Sequence, residues 1–147
     1  PFPREETAIL FVGRGTSDPE ANGDFAKLCR LLWERTRFAW VETAFMGVTL
    51  PTYEQGLARC LALGAKRIVV LPCFLFTGVL LKRMREILRR CEIEHPDVSF
   101  HWARHLGSDP RLAEAVWERT REAQPGRPGR QGLAASRGLS RPAEWDG

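Results

Sequence analysis

Short apolar runs alternate with longer amphipathic segments as far as Ala123, and that alternation is the pattern of βα units building a parallel sheet. The apolar runs predict strands over residues 8–12, 40–45, 67–71 and 98–102. The first and third, Ala-Ile-Leu-Phe-Val and Ile-Val-Val-Leu, are hydrophobic without a break, as strands covered on both faces are. They belong at the centre of the sheet. Helices are predicted over 20–35, 51–63, 79–91 and 110–123. In the first, Phe25, Leu28, Cys29, Leu32 and Trp33 recur at helical spacing and form its core face. Thr49 ahead of Pro51, and Ser108-Asp109 ahead of Pro110, mark helix starts with a capping side chain and a proline in the first turn; Gly64 marks a helix stop. The expected fold class is α/β, a four-stranded parallel sheet with helices on both faces.

From Gln124 onward the text turns to Pro, Gly, Arg and Ser with few large apolar side chains. Such a stretch cannot bury enough surface to offset its ordering entropy. The expected organisation is therefore one domain over 1–123 and a disordered tail over 124–147. The chain carries a net charge of +4. The tail holds Arg127, Arg130, Arg137 and Arg141 against Glu144 and Asp146, so half of that charge lies outside the domain. A body so near balance argues against general polyanion or nucleic-acid binding and leaves room for one local basic cleft.

Cys29, Cys60, Cys73 and Cys91 are widely spaced and form no C-x-x-C zinc pattern; those within predicted helices read as small buried hydrophobes. With no signal peptide and no apolar run of membrane-spanning length, the expected location is the cytoplasm. The chain opens on Pro1 rather than Met, which fits a piece of a longer protein.

In an open parallel sheet, ligands bind beyond the carboxyl ends of the strands. The exit loop of the first strand, Gly13-Arg14-Gly15-Thr16-Ser17-Asp18-Pro19, is a glycine-rich turn opening a helix, a setting that suits an anion. Its central cation, Arg14, neither ligates metals nor moves protons at ordinary pH. The second loop adds Thr49, the third Cys73, Thr77, Gly78, Lys82 and Arg83, and the fourth Arg104 and His105. The rim is cationic and hydroxylic, suited to a small molecule with several carboxylates or phosphates. A dinucleotide fingerprint is incomplete, because the third glycine is missing, and the Gly-Lys-Ser/Thr ending of a Walker loop is absent. Of the histidines, His95 lies in a turn and His101 in a strand. His105 alone stands at the functional edge, where with Cys73 it makes a two-ligand candidate metal site.

The segments Ile9 to Asn22 (ILFVGRGTSDPEAN), Val41 to Phe45 (VETAF), Gly64 to Gly78 (GAKRIVVLPCFLFTG) and Leu106 to Leu112 (LGSDPRL) together resemble the small sirohydrochlorin chelatases of cobalamin and siroheme synthesis. The likeness runs from about Thr7 to Ala123. It implies a flavodoxin-like half-domain, with two such halves facing one cleft as a homodimer or a fused chain. The implied reaction is insertion of cobalt, iron or nickel, as substrate, into a tetrapyrrole with eight carboxylates, with no tightly bound cofactor. The metal-handling residues of that family fall at positions occupied here by Arg14, Gly47 and Leu80, none of which offers a lone pair to a metal or accepts a pyrrole proton. The likeness is to the second, metal-ligand-free half of the long cobalt chelatases. It implies that Gly13, Arg14, Gly15, Thr16, Ser17, Thr77, Gly78, Lys82 and Arg83 hold substrate while another half supplies metal ligands and base. The alternative is a stand-alone tetrapyrrole-binding or carrier module.

Overall fold

The two unbroken apolar runs pair with each other, Leu10 opposite Val70 and Phe11 opposite Leu71, and this parallel pair is the middle of the sheet. The computed structural model describes residues 3–123. Its strands are β1 (Thr7–Gly13), β2 (Trp40–Phe45), β3 (Arg67–Pro72) and β4 (Ser99–Trp102), all parallel, in the order β2-β1-β3-β4. The helices are α1 (Pro19–Thr36), α2 (Tyr53–Ala62), α3 (Val79–Glu94) and α4 (Pro110–Glu122). Element types and order agree with the reading of the sequence, and most ends agree within two residues.

Side chains alternate across a strand, so β1 feeds two cores. Ala8, Leu10 and Val12 pack with Ile68 and Val70 under Tyr53, Leu57 and Cys60 of α2 and Leu81, Met84 and Leu88 of α3. Ile9 and Phe11, with Val41 and Val69, pack on the opposite face under Phe25, Cys29, Leu32 and Trp33 of α1. Leu28 does not join them. It stands one residue, about 100°, round the helix from Cys29, and is 48% exposed.

The start of α2 also differs from expectation. The cap is Thr52, not Thr49: its hydroxyl accepts from the Gln55 N–H at 3.3 Å while the Gln55 side chain accepts from the Thr52 N–H at 3.0 Å. Pro51 lies outside the helix because its carbonyl accepts from the Phe45 N–H at 2.9 Å, extending β2's pairing. The Leu50–Pro51 bond is cis. Gly64 does end its helix, at a φ of +83°.

Cys29, Cys60 and Cys91 are buried free thiols, as their helical positions suggest. Burial, reinforced by the Glu42 carboxylate, pushes Cys29 up to about 11 and Cys60 up to about 12. The chain divides at Asp109, and α4 belongs to a separate unit beginning at Pro110. Taken by itself, α4 is amphipathic, with Leu112, Val116 and Trp117 exposed.

Helix α2 approaches the sheet closely at Gly56, where a Cβ would stand 2.7 Å from both the Ala44 Cβ and the Leu10 Cδ1. Both neighbours are fully buried. The Gly56→Ala variant is expected to lose about 1–3 kcal/mol of unfolding free energy by overpacking, despite alanine's better helix propensity. Urea denaturation measures it, and an unchanged or raised midpoint contradicts the close packing.

Candidate functional site

Parallel pairing sends every strand out at one edge, where four exit loops gather. At the first, the Cα of Gly13 is covered by the Phe25 ring, 3.0 Å from where a Cβ would stand; that ring lies stacked on Phe11 with centroids 4.5 Å apart. Gly13 is therefore a packing residue at the strand's end. Gly15 turns the loop at a φ of +79°, and a Cβ there would lie 2.8 Å from the Thr49 methyl.

Asn22 ties this loop to the second. Its carbonyl accepts from the Thr16 N–H at 3.2 Å, and its amide donates to the Thr16 carbonyl at 2.8 Å and the Thr49 hydroxyl at 3.4 Å. The Thr16 hydroxyl accepts from the Asp18 N–H at 3.2 Å, and Asp18 caps α1 at the Glu20 N–H at 2.9 Å. Thr16 thus spends its N–H and its hydroxyl lone pair inside the loop, and Thr49, read from sequence as a helix cap, is a loop tie. Arg14 and Ser17 are left as exposed polar side chains of the turn with no hydrogen bond among the described residues. The Arg14 carbonyl comes so near the second loop that a Cβ on Gly47 would stand 2.5 Å from it. Any side chain at position 47 would have to move this backbone.

The third and fourth loops frame a cleft of about 650 Å³ lined by Thr77, Lys82, Arg85, Trp102, Arg104 and His105, with Gly78, Val79 and Leu81. Asp18 caps α1 and Thr52 caps α2, but α3 starts at Gly78 with no capping side chain, so its first N–H groups are left to the cleft. Lys82 and Arg85, three residues apart, share a helix face. Arg83 lies on the next face, exposed and outside the cleft lining. Arg85 and Trp102 are the contributors that sequence reasoning did not select; the Lys82–Arg85 spacing was the available signal. Arg85 sits over the Trp102 ring, its guanidinium carbon 4.7 Å from the centroid. Arg14, Lys82, Arg83 and Arg104 form no ion pair among the described residues.

The soft pair read from the sequence is divided. His105 lines the cleft, whereas Cys73 packs into the α1-side core and does not. Burial raises the Cys73 thiol, which keeps it protonated and weakens it as a ligand. Among the described residues no group of three or more His, Cys, Asp or Glu side chains is placed to hold a metal ion. A smaller groove of about 280 Å³ lies between α2 and α3, with Glu54, Arg90, Glu94 and His95 around it. Its charges are mixed. No helix among the described residues is long and apolar enough to cross a membrane.

The family model described as CbiX matches residues 8–123. The chain belongs to the CbiX family. Among the relatives of this CbiX chain, a sirohydrochlorin cobaltochelatase of Priestia megaterium is 48% identical over 124 residues, covering 84% of this chain and 40% of the relative. A sirohydrochlorin cobaltochelatase of Methanopyrus kandleri is 29% identical and covers 79% of this chain and 96% of itself. The chain thus spans well under half of the Priestia relative and nearly all of the short archaeal one. The fold is shared with the sirohydrochlorin chelatase SirB from Bacillus subtilis subspecies spizizenii in complex with cobalt, at a TM-score of 0.74 and 26% identity over 80% of this chain and 51% of that one. A CbiX protein from Marinobacter aquaeolei VT8 superposes at 0.64 with 28% identity, over 79% of this chain and 93% of that one.

If Asn22 is the tie between the first two loops, Asn22→Ala removes its side-chain bonds and leaves the Thr16 N–H unpaired, at an expected cost of about 1–3 kcal/mol. Thermal unfolding together with faster amide exchange at Thr16 would register it. Unchanged exchange at Thr16 would show that the loop holds itself.

Proposed function

We propose that this chain is the tetrapyrrole-holding part of a sirohydrochlorin cobaltochelatase, with the metal ligands and the base supplied by a second chelatase half. Sirohydrochlorin is an apolar macrocycle edged by carboxylates. The carboxyl edge of the sheet offers matching chemistry: Lys82, Arg85, Arg104 and Arg14 as cations, and Val48, Leu50, Phe76 and Val79 as exposed apolar side chains. The observation that carries the reading is the basic cleft of Lys82, Arg85, Arg104 and His105 on a CbiX fold whose positions 14, 47 and 80 hold Arg, Gly and Leu.

Metal insertion requires two pyrrole protons to leave as the cation enters the ring. A guanidinium at position 14 is a cation without an acceptor and repels an incoming metal ion, and Gly47 and Leu80 carry no acceptor side chain. The work left to this chain is binding and orientation. Cations placed around the carboxylate rim orient the macrocycle, which converts metal capture from a random encounter into a positioned one. Gly13, Gly15, Thr16, Ser17, Thr77 and Gly78 shape and line the rim, and Arg83 extends its positive field at longer range. Cobalt enters as a substrate. The second half is another copy, another chain or another part of the same polypeptide.

The purified chain is expected to bind sirohydrochlorin and to insert cobalt no faster than the uncatalysed reaction, with turnover appearing when a ligand-bearing chelatase half is added. Arg14→Ala is expected to weaken binding about tenfold, the loss of one charge-assisted contact. Absorbance titration follows both events together. Insertion by the chain alone, clearly above the uncatalysed rate, contradicts the assignment of roles; binding with no turnover even beside the active half favours a carrier.

A further inference from the structure

Arg85 differs from the other cleft cations in being held. All three are exposed, but Lys82 and Arg104 engage no side chain among the described residues. Arg85 lies over the indole of Trp102 at 4.7 Å. The indole is itself anchored: Trp102 pairs with Val70 in the β3–β4 register, and its side chain packs against the core beneath α2 and α3. The strand fixes the ring and the ring restricts the guanidinium. A guanidinium seated on an aromatic ring is partly freed of competing water and loses less side-chain entropy when it binds. Its N–H donors are not spent on any acceptor among the described residues. A planar fork of this kind matches a carboxylate in two parallel hydrogen bonds, which a lysine cannot do.

We propose that Arg85 is the carboxylate anchor of the cleft and that Trp102 is a positioning residue acting through it. Lys82, one turn earlier on the same face of α3, would take a neighbouring carboxylate of the same ligand, the two side chains rooted about 5–6 Å apart at Cβ. The ligand class is a small polycarboxylate, and its identity as sirohydrochlorin rests on the function proposed above. Arg83, one residue from Lys82 but outside the cleft lining, has no direct part in this contact.

Two probes separate the claims: sirohydrochlorin, and benzenehexacarboxylate, which carries the carboxylates without the macrocycle. Both are titrated calorimetrically into the full chain at fixed ionic strength. Arg85→Gln is expected to weaken both about tenfold or more, and Arg85→Lys, which keeps the charge but loses the fork, about fivefold. Trp102→Leu should approach the Arg85→Gln loss, whereas Trp102→Phe, which keeps an aromatic face, should stay within about threefold of the unaltered chain. A purely structural role for Trp102 would show instead as a lowered Tm without that rescue. If Trp102→Leu does not fold, the Arg85 pair and Trp102→Phe still decide. Unchanged affinity for both probes in Arg85→Gln overturns the anchor, as does failure of the unaltered chain to bind either. Loss on Arg85→Gln with Trp102→Leu unaffected overturns the positioning role. Binding of benzenehexacarboxylate that depends on Arg85, with no binding of sirohydrochlorin, keeps the anchor and removes the chelatase reading.

Discussion

The pairing of β1 with β3 is the contact on which the rest of the molecule depends. Both strands are apolar on both faces, so neither tolerates an edge, and their parallel register sends their exit loops out side by side. The neighbours follow from this. β2 joins β1 and β4 joins β3, α1 covers one face, and α2 and α3 cover the other. A cationic rim at the carboxyl edge is a consequence of topology first and of individual charges second. Arg14, the Lys82–Arg85 pair of α3 and Arg104 come from three segments far apart in sequence, and only the parallel sheet delivers them to one edge.

Within that edge the two sides are built differently. On the β1–β2 side, polar groups are mostly consumed: Thr16, Asp18, Asn22 and Thr49 bond to one another or to backbone, and Gly15 and Gly47 let the two loops touch. This side offers chiefly Arg14 and Ser17. On the β3–β4 side, α3 begins without a cap and a cleft opens beside it, lined by cations. Unspent backbone and side-chain donors therefore concentrate on the β3–β4 side. Among the described residues the cations of this side, Lys82, Arg85 and Arg104, carry donors and no acceptor, and His105 is the imidazole beside them.

Much of the fold was legible in the sequence because its signals are periodic. The unbroken runs at 8–12 and 68–71 gave the central strands, and the helical stripe through Phe25, Cys29, Leu32 and Trp33 gave the face of α1. Misreadings arose where two local signals competed. Thr49 and Thr52 are both plausible caps, and the choice turned on the Pro51 carbonyl being drawn into a strand-like bond with Phe45, which no pattern in the sequence announces. Leu28 belongs to the helix but sits just beyond the edge of its buried stripe. At the site, Arg14, Lys82 and His105 were visible from their places after strands. Arg85 was not, because its significance comes from Trp102, a residue of another strand that reads on its own as ordinary β-sheet core. The Cys73–His105 pair illustrates the reverse: neighbours by topology, they belong to opposite faces of the sheet, the thiol to the α1-side core and the imidazole to the cleft beside α3.

The most direct measurement is amide chemical-shift mapping of the ¹⁵N-labelled chain titrated with sirohydrochlorin. The account predicts saturable shifts at Arg14, across 77–85 and at Ala103 to His105, with Glu54, Arg90, Glu94 and His95 around the α2–α3 groove unmoved. Shifts gathered in that groove, or none along α3's first turns, would contradict it.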